Sequence, residues 1–152
     1  MTNSRSFTVE INKSQTLLGI DLGDKTIGIA LSDISKIIAN PLTTIERKGY
    51  KKDIKKILAL IIEHNASGIV LGLPLSLNGK ENARTEKVRK FAQELEKNNI
   101  KTTFYDERYS SDVIFKELRK NSLSKTKIKK KIDQMAASYI LQGFLDNLRL
   151  SK

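Results

Sequence analysis

Acidic residues at three well-separated places are the side chains best suited to chemistry in this chain. They are Asp21, the adjacent pair Asp106 and Glu107, and Asp133. The chain has no Cys and a single His, His64, which excludes thiolate nucleophiles, Cys/His zinc sites and iron–sulfur clusters. Any demanding chemistry must therefore depend on carboxylates.

The first two acidic places follow predicted strands. Asp21 is the first polar residue after the apolar run at residues 17–20, and strand ends are where functional sites form. An Asx-turn residue that organises a hairpin is the alternative for Asp21. Asp106 and Glu107 end a second strand, and alternation sends them to opposite faces, so only one can point at a given site. A solvated surface cluster is the alternative for this pair.

Asp133 falls within a predicted helix. At 100° per residue, it lies within about 60° of four apolar residues, which are Ala136, Ala137, Ile140 and Phe144. A carboxylate on such an apolar stripe is costly to bury unless a cation or hydrogen-bond donors compensate it. A metal site would do so, and an ion pair with Lys25, Lys129 or Arg108 is the structural alternative.

These carboxylates together suggest a metal site. Hard cations such as Mg²⁺ or Mn²⁺ prefer oxygen ligands and need neither Cys nor His. Two such ions about 3.5–4 Å apart can activate a water and stabilise the departing oxygen in phosphodiester hydrolysis. The resulting hypothesis is a metal-dependent nuclease.

The charge of the chain supports a polyanionic partner. Its 152 residues include 28 Lys plus Arg against 17 Asp plus Glu, which gives a net charge of +11. Such a charge predicts attraction to nucleic acid first and to an anionic membrane second. Basic residues near the proposed site could hold a phosphate backbone without reading sequence. The residues that we expect in this role are Lys25, Arg108, Lys125, Lys127, Lys129 and Lys130.

The apolar periodicity predicts the elements that position these residues. Predicted strands lie at residues 17–21, 27–32, 40–47, 69–73 and 101–108, and predicted helices at residues 51–65, 83–98, 110–118 and 127–148. Pro41 indicates a strand start or an edge strand rather than a helix, and residues 121–126 are predicted as a loop. This order predicts an α/β ribonuclease H-like fold: a mixed five-stranded sheet, three antiparallel strands then two parallel, flanked by helices. We expect one domain at residues 17–150 after an N-terminal extension at residues 1–16.

Four separated motifs carry a family resemblance. They are GIDLGDKTIGIA at residues 19–30, GLPL at residues 72–75 with Gly79, DER at residues 106–108, and DQMAA at residues 133–137 followed by ILQ at residues 140–142. In order and spacing the chain resembles the YqgF/RuvX family of ribonuclease H-like proteins, which are related to Holliday junction resolvases. The extension at residues 1–16 departs from the family pattern, as do Ser110 and Ser111, where threonines are common.

The resemblance implies a nuclease that matures the 5′ end of the pre-16S ribosomal RNA. It further implies Asp21, Glu107 and Asp133 as the catalytic, metal-binding carboxylates, with Asp106 as the alternative to Glu107. A resolvase that cuts branched DNA and a non-catalytic nucleic-acid-binding module are the competing hypotheses. A nucleotide-binding ATPase is a third, because the first motif also resembles a phosphate-binding hairpin, but the chain lacks GxxxxGK[ST].

The sequence also gives expectations about cellular location and oligomeric state. No apolar run approaches the ~18 residues that cross a bilayer, and the polar start lacks the apolar core of a secretory signal. We therefore expect a cytoplasmic protein that has no membrane partner. RNA is the first expected partner and branched DNA the second, with the chain acting as a monomer or weak homodimer.

Overall fold

A mixed five-stranded sheet forms the centre of the structure. The computed structural model describes residues 14–107 and 125–150, with side chains in the last helix described from residue 131 onward. The strands are β1 (Thr16–Leu22), β2 (Thr26–Ser32), β3 (Ala39–Glu46), β4 (Ala66–Leu73) and β5 (Thr102–Asp106), and the helices are α1 (Tyr50–His64), α2 (Ala83–Lys97) and α3 (Lys125–Leu150).

The strand order is β3-β2-β1-β4-β5. β2 pairs antiparallel with both β1 and β3, whereas β4 pairs parallel with both β1 and β5. This arrangement confirms the predicted fold class. β3 is an edge strand, as its Pro41 predicts, and Pro41 pairs with Ala30 beside a shift in register.

Some predicted boundaries differ from those observed. α3 begins at Lys125, so the prediction that residues 125 and 126 belong to a loop is wrong. Lys is a good helix former, and no Gly or Pro interrupts residues 125–142. Thr16, assigned to the extension, already belongs to β1 and pairs with Ala66. The predicted helix at residues 110–118 and most of the extension lie outside the described residues.

The two faces of the sheet carry different helices. Leu18, Ile20 and Leu22 of β1 pack in a core that includes residues of α1 and α2. Leu17 packs on the opposite face with Ile140 and Leu141 of α3. Because side chains alternate along a strand, Gly19 and Asp21 share the α3 face with Leu17. None of α1, α2 and α3, the helices of the described chain, combines the length and apolar character needed to span a lipid bilayer.

Glycines let α3 approach the sheet closely. A Cβ atom built on Gly19 would lie 2.7 Å from Leu141 Cβ and 2.9 Å from the Ala137 carbonyl oxygen. One built on Gly28 would overlap the backbone of Asp133. The absence of these side chains therefore sets the depth at which the N-terminal half of α3, and Asp133 with it, lies on the sheet.

We predict that Gly28→Ala destabilises the fold by at least about 2 kcal/mol, because the methyl group would force α3 away from β2. Chemical denaturation measures this loss. Replacing Gly by Ala in a strand ordinarily raises stability. A loss of stability in Gly28→Ala would therefore indicate a clash with α3. The control is Ala59→Gly on the exposed side of α1, which should cost only about 1 kcal/mol of helix propensity. A Gly28→Ala protein as stable as the wild type would contradict the close packing.

Candidate active site

Strand alternation and one glycine bring two carboxyl groups together. Asp21 lies on the α3 face of β1, and Glu107 follows β5, where its N–H donates to the Leu73 carbonyl at 3.3 Å. Tyr105 packs in the α3-side core, so Glu107, two residues later, returns to the same face. A Cβ atom on Gly72 of β4 would lie 2.6 Å from Glu107 Oε2. Gly72 thus leaves the space into which the Glu107 carboxyl extends.

Asp21 and Glu107 are hydrogen-bonded to each other through their side chains. Burial, followed by the charge of Asp21 and the hydrogen bond with it, raises the pKa of Glu107 to about 9. Burial also raises the pKa of Asp21, and the charge of Asp133 raises it further, while the hydrogen bond from Glu107 opposes the shift. Because the pKa of Glu107 lies above neutral pH, Glu107 keeps its proton there.

Asp133 approaches from α3 and is held by a hydroxyl group. Thr26 Oγ1 donates to Asp133 Oδ2 at 2.6 Å, and the Asp133 side chain is half-buried. The charge of Asp133 also raises the pKa of Asp21, so the two carboxylates are near enough to interact electrostatically. As the side chains are arranged in the described residues, no group of three or more His, Cys, Asp or Glu could hold a metal ion. The structure therefore brings two predicted carboxyl groups into contact and keeps the third nearby on Thr26.

The remaining predicted site residues lie elsewhere. Asp106 is exposed on the face opposite Glu107, because neighbouring residues of an extended segment alternate. Lys25 is exposed in the turn between β1 and β2. Arg108 and the side chains of four predicted nucleic-acid-binding residues lie outside the described part of the chain: Lys125, Lys127, Lys129 and Lys130.

Sequence reasoning missed Arg84, whose positive charge acts on both carboxyl groups. It lowers the pKa of Asp21 and of Glu107 against the effect of burial. Arg84 lies in the first turn of α2, where the side chain of the N-cap residue Asn82 accepts hydrogen bonds from the N–H groups of Arg84 and Thr85 at 3.0 and 3.2 Å. Thr85 Oγ1 donates to the Pro74 carbonyl, which ties this turn to the end of β4. The Asn82–Thr85 capping box after the GLPL motif was the available signal.

Comparison with known proteins identifies the family. The RuvX family profile, described as Holliday junction resolvase, matches residues 15–147. The chain belongs to the RuvX family. The expected resemblance is thereby confirmed over nearly the whole described chain.

Named relatives share most of this RuvX-family sequence. A protein of Paramagnetospirillum magneticum named "Putative pre-16S rRNA nuclease" is 41% identical over 138 residues, 90% of this chain and 89% of that protein. A protein of the same name from Clostridium kluyveri is 44% identical over 137 residues, 90% of this chain and 98% of that protein. The crystal structure of the fowlpox virus Holliday junction resolvase matches with a TM-score of 0.52 and 17% identity, covering 88% of this chain and 99% of that one. That last likeness shows the shared fold.

The proton on Glu107 predicts how stability depends on pH. The folded chain keeps this proton up to about pH 9, whereas the unfolded chain releases it above the ordinary pKa of 4.5. In chelator, the contribution of Glu107 to the free energy of unfolding should therefore fall as pH rises between these values, by up to about 1.4 kcal/mol per pH unit. Glu107→Gln should remove this dependence in denaturation measured at a series of pH values.

Asp106→Asn is the matched control for the pH series, because Asp106 is exposed. It should retain the slope of the wild type. An unchanged slope in Glu107→Gln would show that the proton is held elsewhere.

Proposed function

We propose that this chain is a metal-dependent endonuclease that hydrolyses phosphodiester bonds in the pre-16S ribosomal RNA. The observation that carries the proposal is the hydrogen-bonded Asp21–Glu107 pair on the α3 face of the sheet, in a chain of net charge +11. The choice of pre-16S ribosomal RNA as the substrate follows the names of the relatives. The hydrolytic chemistry is inferred from the carboxyl pair.

The donor groups suit Mg²⁺ or Mn²⁺. All of them are carboxyl oxygens, which these hard cations prefer. Two carboxyl groups in contact resist full ionisation, and a divalent cation relieves that repulsion as the shared proton does. Asp21 and Glu107 would hold the metal, and Asp133, which the described arrangement keeps on Thr26, would complete the ligand set by moving towards them. When bound, divalent ions would activate a water and stabilise the departing oxygen of the phosphodiester.

The side chains of the site have distinct roles in the proposed reaction. Glu107 would release its proton to the solvent when a divalent cation binds, because the cation would offset the repulsion between the carboxylates of Glu107 and Asp21. Thr26 orients Asp133 through its 2.6 Å hydrogen bond. Arg84, whose charge already reaches both carboxyl groups, is placed to offset the negative charge that develops on the phosphate during cleavage.

The substrate is tested by incubating the purified protein with pre-16S ribosomal RNA and with a four-way DNA junction. Each reaction contains Mg²⁺, Mn²⁺ or chelator. Cleavage of the RNA with either metal, and none in chelator, is the expected result. Binding of RNA without metal-dependent cleavage would overturn the proposal in favour of a non-catalytic binding module.

Branched DNA is the second candidate substrate, favoured by the description of the matching family. Symmetric cutting of a junction needs two active sites related by a two-fold axis, whereas cutting an RNA precursor needs only one. A monomer or weak homodimer is therefore sufficient for the proposed function. Junction cleavage by a stable dimer would favour the resolvase.

We predict that Asp21→Asn and Glu107→Gln each abolish metal-dependent cleavage while the fold is kept. Each amide preserves the shape of the side chain but loses the charge that holds a divalent cation. Gel-based cleavage assays with Mn²⁺ and circular dichroism measure the two properties. Asp106→Asn is the control and should cleave like the wild type, and a reversed ranking of Asp106 and Glu107 would exchange their roles.

We predict that Asp133→Asn leaves stability in chelator unchanged or raised while cleavage falls. Neutralising Asp133 removes a charge that disfavours ionisation of Asp21. Thermal unfolding in chelator, followed by a cleavage assay with Mn²⁺, measures both effects. A loss of about 3–5 kcal/mol in chelator would instead mean that Asp133 balances a buried cation, and would exclude it as a metal ligand.

A further inference from the structure

A groove lies on the side of the sheet that carries α1 and α2. It has a volume of about 460 Å³ and is lined by Asp24, Arg47, Gly49, Tyr50 and Lys87. A smaller pocket of about 130 Å³ shares Asp24, Arg47 and Lys87 with it and reaches Leu22, Pro74 and Arg84. Leu22 follows Asp21 directly, and the charge of Arg84 acts on Asp21 and Glu107. The two cavities share three lining residues and together are named the Arg47 groove, which lies at the end of β1 where Asp21 precedes Leu22.

Arg47 is fixed in place by a buried carboxylate. Asp53, in the first turn of α1, is fully buried and accepts a hydrogen bond from the Lys48 N–H at 2.8 Å. Its other oxygen lies 3.5 Å from Arg47 Nε, and Arg47 Nη1 donates to the Gly23 carbonyl at 3.0 Å. Within the described residues these bonds use two of the five N–H groups of a guanidinium. The orientation of Arg47 is thus set in advance, which lowers the entropy that binding a phosphate would cost.

The lining of the groove combines positive charge with an exposed aromatic ring. Arg47, Arg84 and Lys87 contribute three cations against one carboxylate, that of Asp24. Asp24 and Lys87 form an exposed ion pair at 3.2 Å, which a competing phosphate can open because such pairs are weak. Tyr50 is 41% exposed. A cationic groove with an aromatic ring is the arrangement that binds single-stranded nucleic acid, because phosphates bind the cations and an unpaired base stacks on the ring.

We propose that the Arg47 groove binds a single-stranded stretch of the nucleic-acid substrate next to the cleaved phosphodiester. Arg47 and Lys87 contact backbone phosphates, and Tyr50 stacks on an unpaired base. Asp53 is a positioning residue that acts through Arg47. The assignment of the neighbouring carboxyl pair as the catalytic centre rests on the proposed function, but binding by the groove can be measured without cleavage.

The test uses the Asp21→Asn protein, so that bound RNA stays intact, and a short fluorescent single-stranded RNA. Fluorescence anisotropy gives the Kd over a series of salt concentrations. Arg47→Ala and Lys87→Ala should each weaken binding and lower the slope of log Kd against log salt by about 0.7, the loss of one phosphate contact. Lys97→Ala is the matched control, since Lys97 is an exposed lysine in an ion pair at the other end of α2, and it should change neither quantity.

Two further variants separate orientation from charge. Arg47→Lys and Asp53→Asn should weaken binding with little change of the salt slope, because both keep the positive charge and lose the fixed guanidinium. Circular dichroism shows whether Asp53→Asn remains folded. A folded Asp53→Asn protein that binds like the wild type would remove Asp53 from the proposal.

Stacking on Tyr50 is tested with the same RNA, single-stranded and paired with its complement. Tyr50→Leu should weaken binding of the single strand at least about fivefold, whereas Tyr50→Phe keeps the ring and should bind like the wild type. An equal loss for the duplex would overturn the single-strand assignment.

The experiments test the groove proposal and the nuclease proposal separately. Groove variants that all bind like Lys97→Ala would overturn the groove and leave the nuclease proposal standing. If the wild type cleaves neither RNA nor junction, but RNA binding still depends on Arg47 and Lys87, the nuclease proposal fails and the groove stands.

Discussion

The close contact between α3 and the sheet is the constraint on which the rest of the structure depends. Gly19 and Gly28 leave no side chain between the strands and the helix backbone, so the helix lies directly on β1 and β2. If side chains separated the helix from the sheet, Asp133 would lie too far from Thr26 to accept the 2.6 Å hydrogen bond from its hydroxyl group. The same face contains Gly72, which gives the Glu107 carboxyl its space. Three glycines thus determine where three acidic side chains can lie.

Gathering acidic groups in a half-buried place opposes folding. Burial disfavours the ionised forms of Asp21 and Glu107, the charge of Asp21 further disfavours ionisation of Glu107, and the charge of Asp133 further disfavours ionisation of Asp21. The structure offsets this cost in two ways: Glu107 keeps a proton, and Arg84 contributes a positive charge to both groups. The proposed metal would neutralise the same carboxyl groups in place of the proton.

In the Arg47 groove, on the α1 and α2 side of the sheet, the charged groups are mainly positive. There the buried Asp53 holds Arg47 against the Gly23 carbonyl, and Gly23 belongs to the same turn that follows Asp21. The first strand therefore connects the carboxyl pair on the α3 face with the cationic groove beside α1 and α2. The proposed cleavage chemistry depends on negative charge at the end of β1, whereas the proposed binding of the strand depends on positive charge that Arg47, after β3, holds against the turn that follows β1.

The sequence by itself determined the elements of the sheet, the three acidic places and the family, because these follow from local periodicity and from motifs that each lie within about one element. Alternation says only that Asp106 and Glu107 face opposite ways, so the preference for Glu107 rested on the family resemblance. Which of the two lies beside Asp21 depends on the pairing of β4 with β5 and on the side on which α3 packs. Arg84 was missed because the carboxyl groups on which it acts lie in other elements, and Arg47 because the Gly23 carbonyl that it contacts lies 24 positions earlier in the chain. The raised pKa of Glu107 is likewise a property of the tertiary structure, because both its burial and its neighbour Asp21, 86 positions earlier in the chain, exist only once the sheet has formed.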